Sequence, residues 1–335
     1  MYDDDRRDRE QLSGMTKFAI LGTGALGGFY GGLLARAGFD VHFLMRSDAD
    51  YVKAHGLRVD SKLGDFHLPQ VNVYKDVHAM PKCDCIILAL KNTQNHILPD
   101  LLPPLMHDEA IVLVLQNGLH VEQETRAVVG PGLVAGGCCF LCSNKVGPGH
   151  IRHLDYGKIL MGAYRGLDDT EDGPSMERLV SIQQDMVAAG IDCQATESLT
   201  EARWRKLMWN IPFNGLSVIL NSSTDRIMQF QDSRELAESI IREVRQTACD
   251  CGHFIEPEFV KRMMDHTDEM VPYDSSMRLD FLAGRPIEVE AIFGNALRAA
   301  NRAKVQSPIV QVLYQQLKFL ADQRPALSKT SILES

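Results

Sequence analysis

Four places in this sequence gather residue types able to bind or transform a small molecule. The run Gly22-Thr23-Gly24-Ala25-Leu26-Gly27 directly follows the apolar stretch Phe18–Leu21 and opens a helical one. Gly22 permits a tight turn, Gly24 lets the backbone approach a pyrophosphate, and Gly27 lets helix and strand pack closely. The helix start then offers unpaired N–H groups and a positive dipole end to the phosphates. A glycine-rich packing turn is the alternative. The strand before, the helix after and a second strand behind favour a dinucleotide site.

The second place identifies the dinucleotide. An NAD site usually sets Asp or Glu about 20 residues past the glycines, against the ribose 2′-hydroxyl. Here the strand Asp40–Met45 ends in Arg46 and Ser47. A guanidinium pairs with a 2′-phosphate that a carboxylate would repel, so NADP(H) is preferred. The competing reading has Arg46 at the surface and Asp48 or Asp50 turning back to serve NAD. Third, Lys91 and Asn117-Gly118 follow the apolar runs Cys85–Leu90 and Ala110–Leu115, where ligands meet such sheets. Lysine there suits a phosphate or a carboxylate, and asparagine a ribose or a carbonyl compound. A solvated loop lysine and an Asn-Gly turn are the plain readings.

Fourth, Lys206, Asn210 and Asn214 are spaced i, i+4, i+8 and span about 80° of one helix. Trp204, Leu207, Met208 and Ile211 form a separate apolar face. Such a polar stripe is commonly a solvated surface. Asparagine is a poor helix former for that purpose, and Pro212 is expected to kink the helix within the stripe. Both details point to a functional face.

These residues need elements to position them. Lys17–Leu21, Val41–Met45, Cys85–Leu90 and Ala110–Leu115 read as strands buried on both faces, with helices over 25–37 and after Thr93 up to Pro103-Pro104. That rhythm predicts an α/β chain with an amino-terminal Rossmann-type doubly wound sheet. Strand-like segments at 133–141, 151–154 and 158–164 and one helix at 175–189 complete it. Helical periods then take over at 199–220, 233–250, 256–269, 275–283, 288–303 and 308–321, an all-α carboxyl-terminal domain. The expected domains are 15–197 (dinucleotide binding) and 198–325 (helical, substrate and catalysis), with tails at 1–14 and 326–335.

Several function classes are excluded by composition. The 335 residues carry a net charge of −9 and no basic block, which argues against nucleic acid or an anionic membrane as partner. Phe18–Ala35 is uncharged over eighteen residues, but its glycines and the mixed-sign head before it fit neither a spanning helix nor a secretory signal. Residues 1–14 read as a disordered tail or an over-extended start upstream of Met15. The eight cysteines lack zinc-finger spacing. Cys138/Cys139/Cys142 or Cys249/Cys251/His253 as metal ligands is the sharper reading; buried apolar thiols in a reducing cytoplasm are the simpler one, with no metal expected. A homodimer is the commonest assembly for such a chain.

The Gly22–Gly28 run with Arg46, the Asn117-Gly118 turn, Trp204-Arg-Lys206-Leu with Asn210 and Asn214, Ser275-Ser276-Met277 before Asp280, and Ile287-Glu288 leading to Gly294 occur in that order. Together they resemble the ketopantoate reductase (2-dehydropantoate 2-reductase) family from about residue 15 to 322. The resemblance implies NADPH-dependent reduction of ketopantoate, a branched 2-oxo acid, to pantoate on the route to pantothenate and coenzyme A. It implies Lys206 as the general acid, Glu288 holding substrate and lysine, Ser276 and Asn210 binding substrate, and Asn214 lining the site. Lys91 and Asn117 would lie where cofactor and substrate meet. The chemistry is consistent: addition to a ketone builds negative charge on its oxygen, so an aimed proton donor lowers the barrier. Two alternatives remain, a relative acting on another 2-oxo acid and a non-catalytic NADP-binding sensor.

Overall fold

The computed structural model describes residues 16–272 and 274–330, with side chains up to 323. The tail expected at 1–14 lies outside the described residues.

The chain divides into two compact units, one of residues up to 116 and 121–199, the other of 117–120 and 200 onward. In the first, β1 (Lys17–Leu21) leads through the glycine turn into α1 (Ala25–Arg36), then β2 (Asp40–Leu44), α2 (Ala49–His55), β3 (Leu57–Ser61), β4 (Phe66–Leu68) and β5 (Asn72–Tyr74). The fully buried β6 (Cys85–Leu88) follows, then α3 (Leu98–Leu101) and the fully buried β7 (Ile111–Val114). After α4 (Glu122–Val129) come the long β8 (Val134–Gly147) and β9 (His150–Ala163), α5 (Met176–Ala188) and β10 (Cys193–Ala195). Ser175 caps α5 by accepting from the Arg178 N–H.

The strands form one sheet in the order β4-β3-β9-β8-β7-β6-β1-β2-β5, with β10 beside β9. From β5 to β8 every pairing is parallel, and only β8–β9 and β3–β4 run antiparallel. Strands buried on both faces need continuous apolar sequence, which is why β1, β6 and β7 contain little else. Phe18, Ile20 and Phe43 pack beneath Phe29, Tyr30 and Leu33 of α1 in the core. The uncharged stretch 18–35 is therefore most of a strand, a turn and nearly all of α1. No helix among the described residues is long and apolar enough to cross a membrane.

The second unit is helical: α6 (Leu199–Ile219), α7 (Thr224–Gln229), α8 (Gln231–Asp250), α9 (Glu258–Glu269), α10 (Ser276–Leu282), a π turn (Glu290–Gly294), α11 (Asn295–Arg302) and α12 (Pro308–Thr330). The chain is thus an α/β Rossmann-type doubly wound sheet followed by an all-α region.

Four local expectations need correction. The segment after Thr93 is a 3-10 turn (Asn92–Ile97) with one α-helical turn, because Pro99, Pro103 and Pro104 limit a longer helix. The helix expected at 288–303 contains the π turn. The last helix reaches Thr330, so residues 326–330 are not tail. Finally, α6 runs unbroken through Pro212. A proline inside a helix costs about 3 kcal/mol. Trp204, Leu207, Met208, Ile211, Phe213 and Leu216 are all buried in one core, and each contributes roughly 1.5–3 kcal/mol by its burial. Packing wins.

Candidate active site

The nucleotide end is built from the turn outward. Gly22 has φ +97°, the left-handed region, and a Cβ there would lie 2.6 Å from the Leu90 backbone nitrogen. No side chain fits. A Cβ on Gly27 would stand 2.3 Å from the Gly22 carbonyl oxygen, so this glycine allows α1 to close on the turn. Gly24 differs: its Cβ would meet nothing within 4 Å, and no side chain caps α1. The helix start is therefore open to a ligand. Thr23 Oγ1 donates to the Leu44 carbonyl at 3.3 Å and ties the turn to the end of β2. Ala25 and Leu26 form the half-buried first turn of α1.

Gly22, Thr23, Gly24 and Arg46 line one cleft of about 440 Å³, together with Ser47, Asp48, Lys75 and Lys145. Arg46 is exposed, and its Nη2 donates to Gln94 Oε1 at 2.6 Å. Lys91 does not line this cleft; it begins the 3-10 turn past β6 and is half-buried.

Both carboxylates proposed for NAD are engaged. Asp48 Oδ2 lies 2.6 Å from Lys145 Nζ and accepts from the Gly149 N–H at 2.9 Å, while Oδ1 accepts from Ser47 Oγ at 2.9 Å. Burial alone would raise the Asp48 pKa, but the bonds from Lys145, Gly149 and Ser47 prevail and hold it below the usual range. Asp50 is exposed and pairs with Lys75 at 2.7 Å. Among the cations of the cleft, Lys145 was absent from the sequence reading. It arrives on β8 because β9 pairs with β3 and Gly149 reaches Asp48. The open glycine turn, uncapped helix and exposed guanidinium suit a dinucleotide with a 2′-phosphate.

The helical unit carries the other candidates. Lys206 is half-buried, and its Nζ donates to Asn117 Oδ1 at 2.7 Å. The segment 117–120 packs with the helical unit, so two residues 89 apart in sequence meet within one compact body. Asn210 and Asn214 share the Lys206 stripe, but they are 6% and 3% exposed. The stripe is not a solvated surface. Asn210 Nδ2 is sealed from water and has no hydrogen-bond partner among the described residues.

Ser276 is half-buried at the start of α10, while Ser275 is the helix cap, its Oγ accepting from the Arg278 N–H at 3.1 Å. Ser217, which sequence reasoning missed, joins these parts. Its Oγ lies 2.7 Å from Ser275 Oγ and donates to the Asn214 carbonyl at 3.1 Å. It continues the stripe at i+7 from Asn210, which is the signal that could have found it. Glu288 is 5% exposed and stands two residues before the π turn, its carbonyl accepting from the Ile292 N–H at 3.3 Å. Its carboxylate is therefore buried and not part of a solvated surface. Together the unit offers an ammonium hydrogen-bonded to Asn117, an unspent amide donor one turn later and a buried carboxylate.

Comparison with known proteins supplies the family. The family "Ketopantoate reductase PanE/ApbA" matches residues 18–166, and its C-terminal counterpart matches residues 198–321. A 2-dehydropantoate 2-reductase of Nostoc sp. is 51% identical over 304 residues, 91% of this chain and 95% of the relative. The crystal structure of 2-dehydropantoate 2-reductase from Geobacter metallireducens aligns with a TM-score of 0.85 and 37% identity, over 92% of this chain and 99% of that one. The enzyme of the same name from Methylococcus capsulatus aligns at 0.81 and 34%, over 92% and 97%. On both sequence and fold, the chain belongs to the ketopantoate reductase PanE/ApbA family.

Proposed function

We propose that this protein is an NADPH-dependent oxidoreductase that reduces ketopantoate to pantoate, a step toward pantothenate, with Lys206 as its proton donor. The observation that carries the reading is the Lys206 Nζ–Asn117 Oδ1 bond of 2.7 Å on the same helix face as the unpaired, buried Asn210 amide. Bound NADPH supplies the hydride that adds to the ketone carbon. As that carbon is reduced, its oxygen gains negative charge, and Lys206 transfers a proton from Nζ to it. Asn117 accepts from the ammonium and so restricts where it points. Asn210 donates from Nδ2 to a substrate oxygen, which satisfies the group left unmade in the free protein. The Ser276 hydroxyl binds the substrate carboxylate, Glu288 accepts from its hydroxyl, and Asn214 lines the same wall.

The cofactor is held by Gly22, Thr23, Gly24, Ala25, Leu26 and Gly27 around the start of α1, with Arg46 on the 2′-phosphate. Lys91 reaches the cofactor from the end of β6. NADPH is favoured over NADH because Asp48 is already spent on Lys145, Gly149 and Ser47. A cytoplasmic location and a homodimeric assembly accompany this reading.

Steady-state oxidation of NADPH with a panel of 2-oxo acids tests it. Ketopantoate should be turned over well above pyruvate and 2-oxoisovalerate, and Lys206→Ala should lower kcat by about two to four orders of magnitude. A Lys206→Ala enzyme that turns over like its parent would remove lysine from the mechanism.

A further inference from the structure

Asn117 can orient Lys206 only if the short segment 117–120 is itself fixed, and the structure shows what fixes it. Gly118 has φ +121°, and a Cβ there would lie 2.4 Å from the Ala291 carbonyl oxygen, so the backbone is pressed against the π turn. The same carbonyl accepts from the Leu119 N–H at 3.0 Å. The opposite side of that peptide is also held: the Leu119 carbonyl accepts from Asn295 Nδ2 at 2.6 Å. The Leu119 side chain is fully buried among Trp204, Leu207 and Phe293 of the helical core.

The Asn295 amide is oriented by its other end. Asn295 Oδ1 accepts from Arg298 Nε at 3.1 Å and Nη2 at 2.5 Å, which forces Nδ2 toward Leu119. Arg298 is anchored in turn by Glu290, with Nη1 donating to Oε2 at 2.9 Å. Tyr314 Oη at 2.8 Å and Lys318 Nζ at 3.1 Å donate to the other carboxylate oxygen of Glu290. A charged cluster at the π turn thus sets one amide, and that amide sets the loop carrying the acceptor of Lys206.

We propose that Asn295 is a positioning residue for the reduction. It touches no reacting atom, and it acts through the Leu119 carbonyl and Asn117 on the direction of the Lys206 ammonium. This inference rests on the reading of Lys206 as the proton donor. Misplacing a reacting group by about 1 Å can cost roughly a hundredfold in rate, so a loop released from one of its two backbone bonds should show in turnover. Asn295→Asp is the sharper change. It keeps an acceptor for Arg298 but sets a carboxylate oxygen against the Leu119 carbonyl.

The experiment measures kcat, KM for ketopantoate and direct NADPH binding by fluorescence for N295A, N295D, N117A, K206A and N117A/N295A, with the melting midpoint of each. N295A should lose about three- to tenfold in kcat and N295D at least tenfold, with the NADPH dissociation constant within about twofold of the parent. The double variant should be no slower than N117A alone within about twofold, because both changes break one chain of contacts. Parent-like kcat in both single variants, or multiplied losses in the double variant, overturns the proposal. So does a matching loss of NADPH affinity or a collapse of the melting midpoint in both, which would mark Asn295 as structural only. If K206A itself turns over normally, the acid assignment has failed, and that result is separable from a failure at Asn295.

Discussion

An amide donor sealed from water without an acceptor costs about 1–3 kcal/mol, and Asn210 keeps one a single turn from Lys206. A chain selected for stability alone would place leucine there, which has nearly the same shape. Asn210→Leu is therefore expected to raise the melting midpoint by about 2 °C while lowering kcat/KM about ten- to a hundredfold. Calorimetry and steady-state kinetics on the same preparation check the pair; unchanged turnover would take Asn210 out of substrate binding. The Lys206–Asn210–Asn214 stripe was legible because helical spacing alone aligns it. Its burial was not, since the helices that cover it come from far along the chain. Asn295 was invisible for the same reason: its partner Leu119 lies 176 residues away.

At the scale of elements, the β8–β9 hairpin does what no local motif announces. Its strands are antiparallel inside an otherwise parallel run, and its tip delivers the Gly149 N–H and the Lys145 ammonium to Asp48 at the end of β2. Removing Lys145 should leave the buried Asp48 carboxylate with its Gly149 and Ser47 hydrogen bonds but no countercharge, beside the place expected for the 2′-phosphate. Lys145→Ala and Arg46→Ala are each expected to raise the KM for NADPH about tenfold or more, with much less change for NADH. Adding Asp48→Asn should recover most of the loss in the Lys145 variant and none of it in the Arg46 variant. Equal effects on the two nucleotides would refute the assignment. The apolar runs of β1, β6 and β7 could be read directly because strands buried on both faces allow few other residues. The short α2, β3, β4 and β5 could not. Their three to seven residues carry no clear period, and the three strands owe their state to pairing, β3 with β9, β4 with β3 and β5 with β2.

For the molecule as a whole, stability should depend on pH through His120, which sits in the segment that carries Asn117. Burial, reinforced by Arg302, His253 and Arg203, lowers its pKa to about 4. The unfolded chain takes up that proton near pH 6.5 and the folded one only near pH 4. Its contribution is therefore complete above about pH 6.5 and is lost as pH falls toward 4, on the order of 3 kcal/mol. Asn tolerates the left-handed backbone that His120 adopts at φ +51°. His120→Asn should flatten the decline of denaturant midpoint between pH 6.5 and 4; an unchanged slope would assign that decline to other groups. The two-part plan was legible from the change in texture near residue 198. The placement of 117–120 with the helical unit was not, because four residues between a strand and a helix carry no pattern that names their neighbours.

The cysteines are distributed unevenly between the two units. Cys83, Cys85, Cys138, Cys139, Cys142 and Cys193 are buried in the sheet-bearing unit, whereas Cys249 and Cys251 in the helical one are only half-buried. Burial pushes the Cys83 and Cys193 thiols up to about 12 and Cys142 to about 11, so the native molecule holds them as unreactive sulfhydryls. An alkylating reagent added in brief pulses during mild denaturation should first mark the helical pair. The later jump of six mass increments would then time the opening of the nucleotide half, giving each half its own clock without an engineered label.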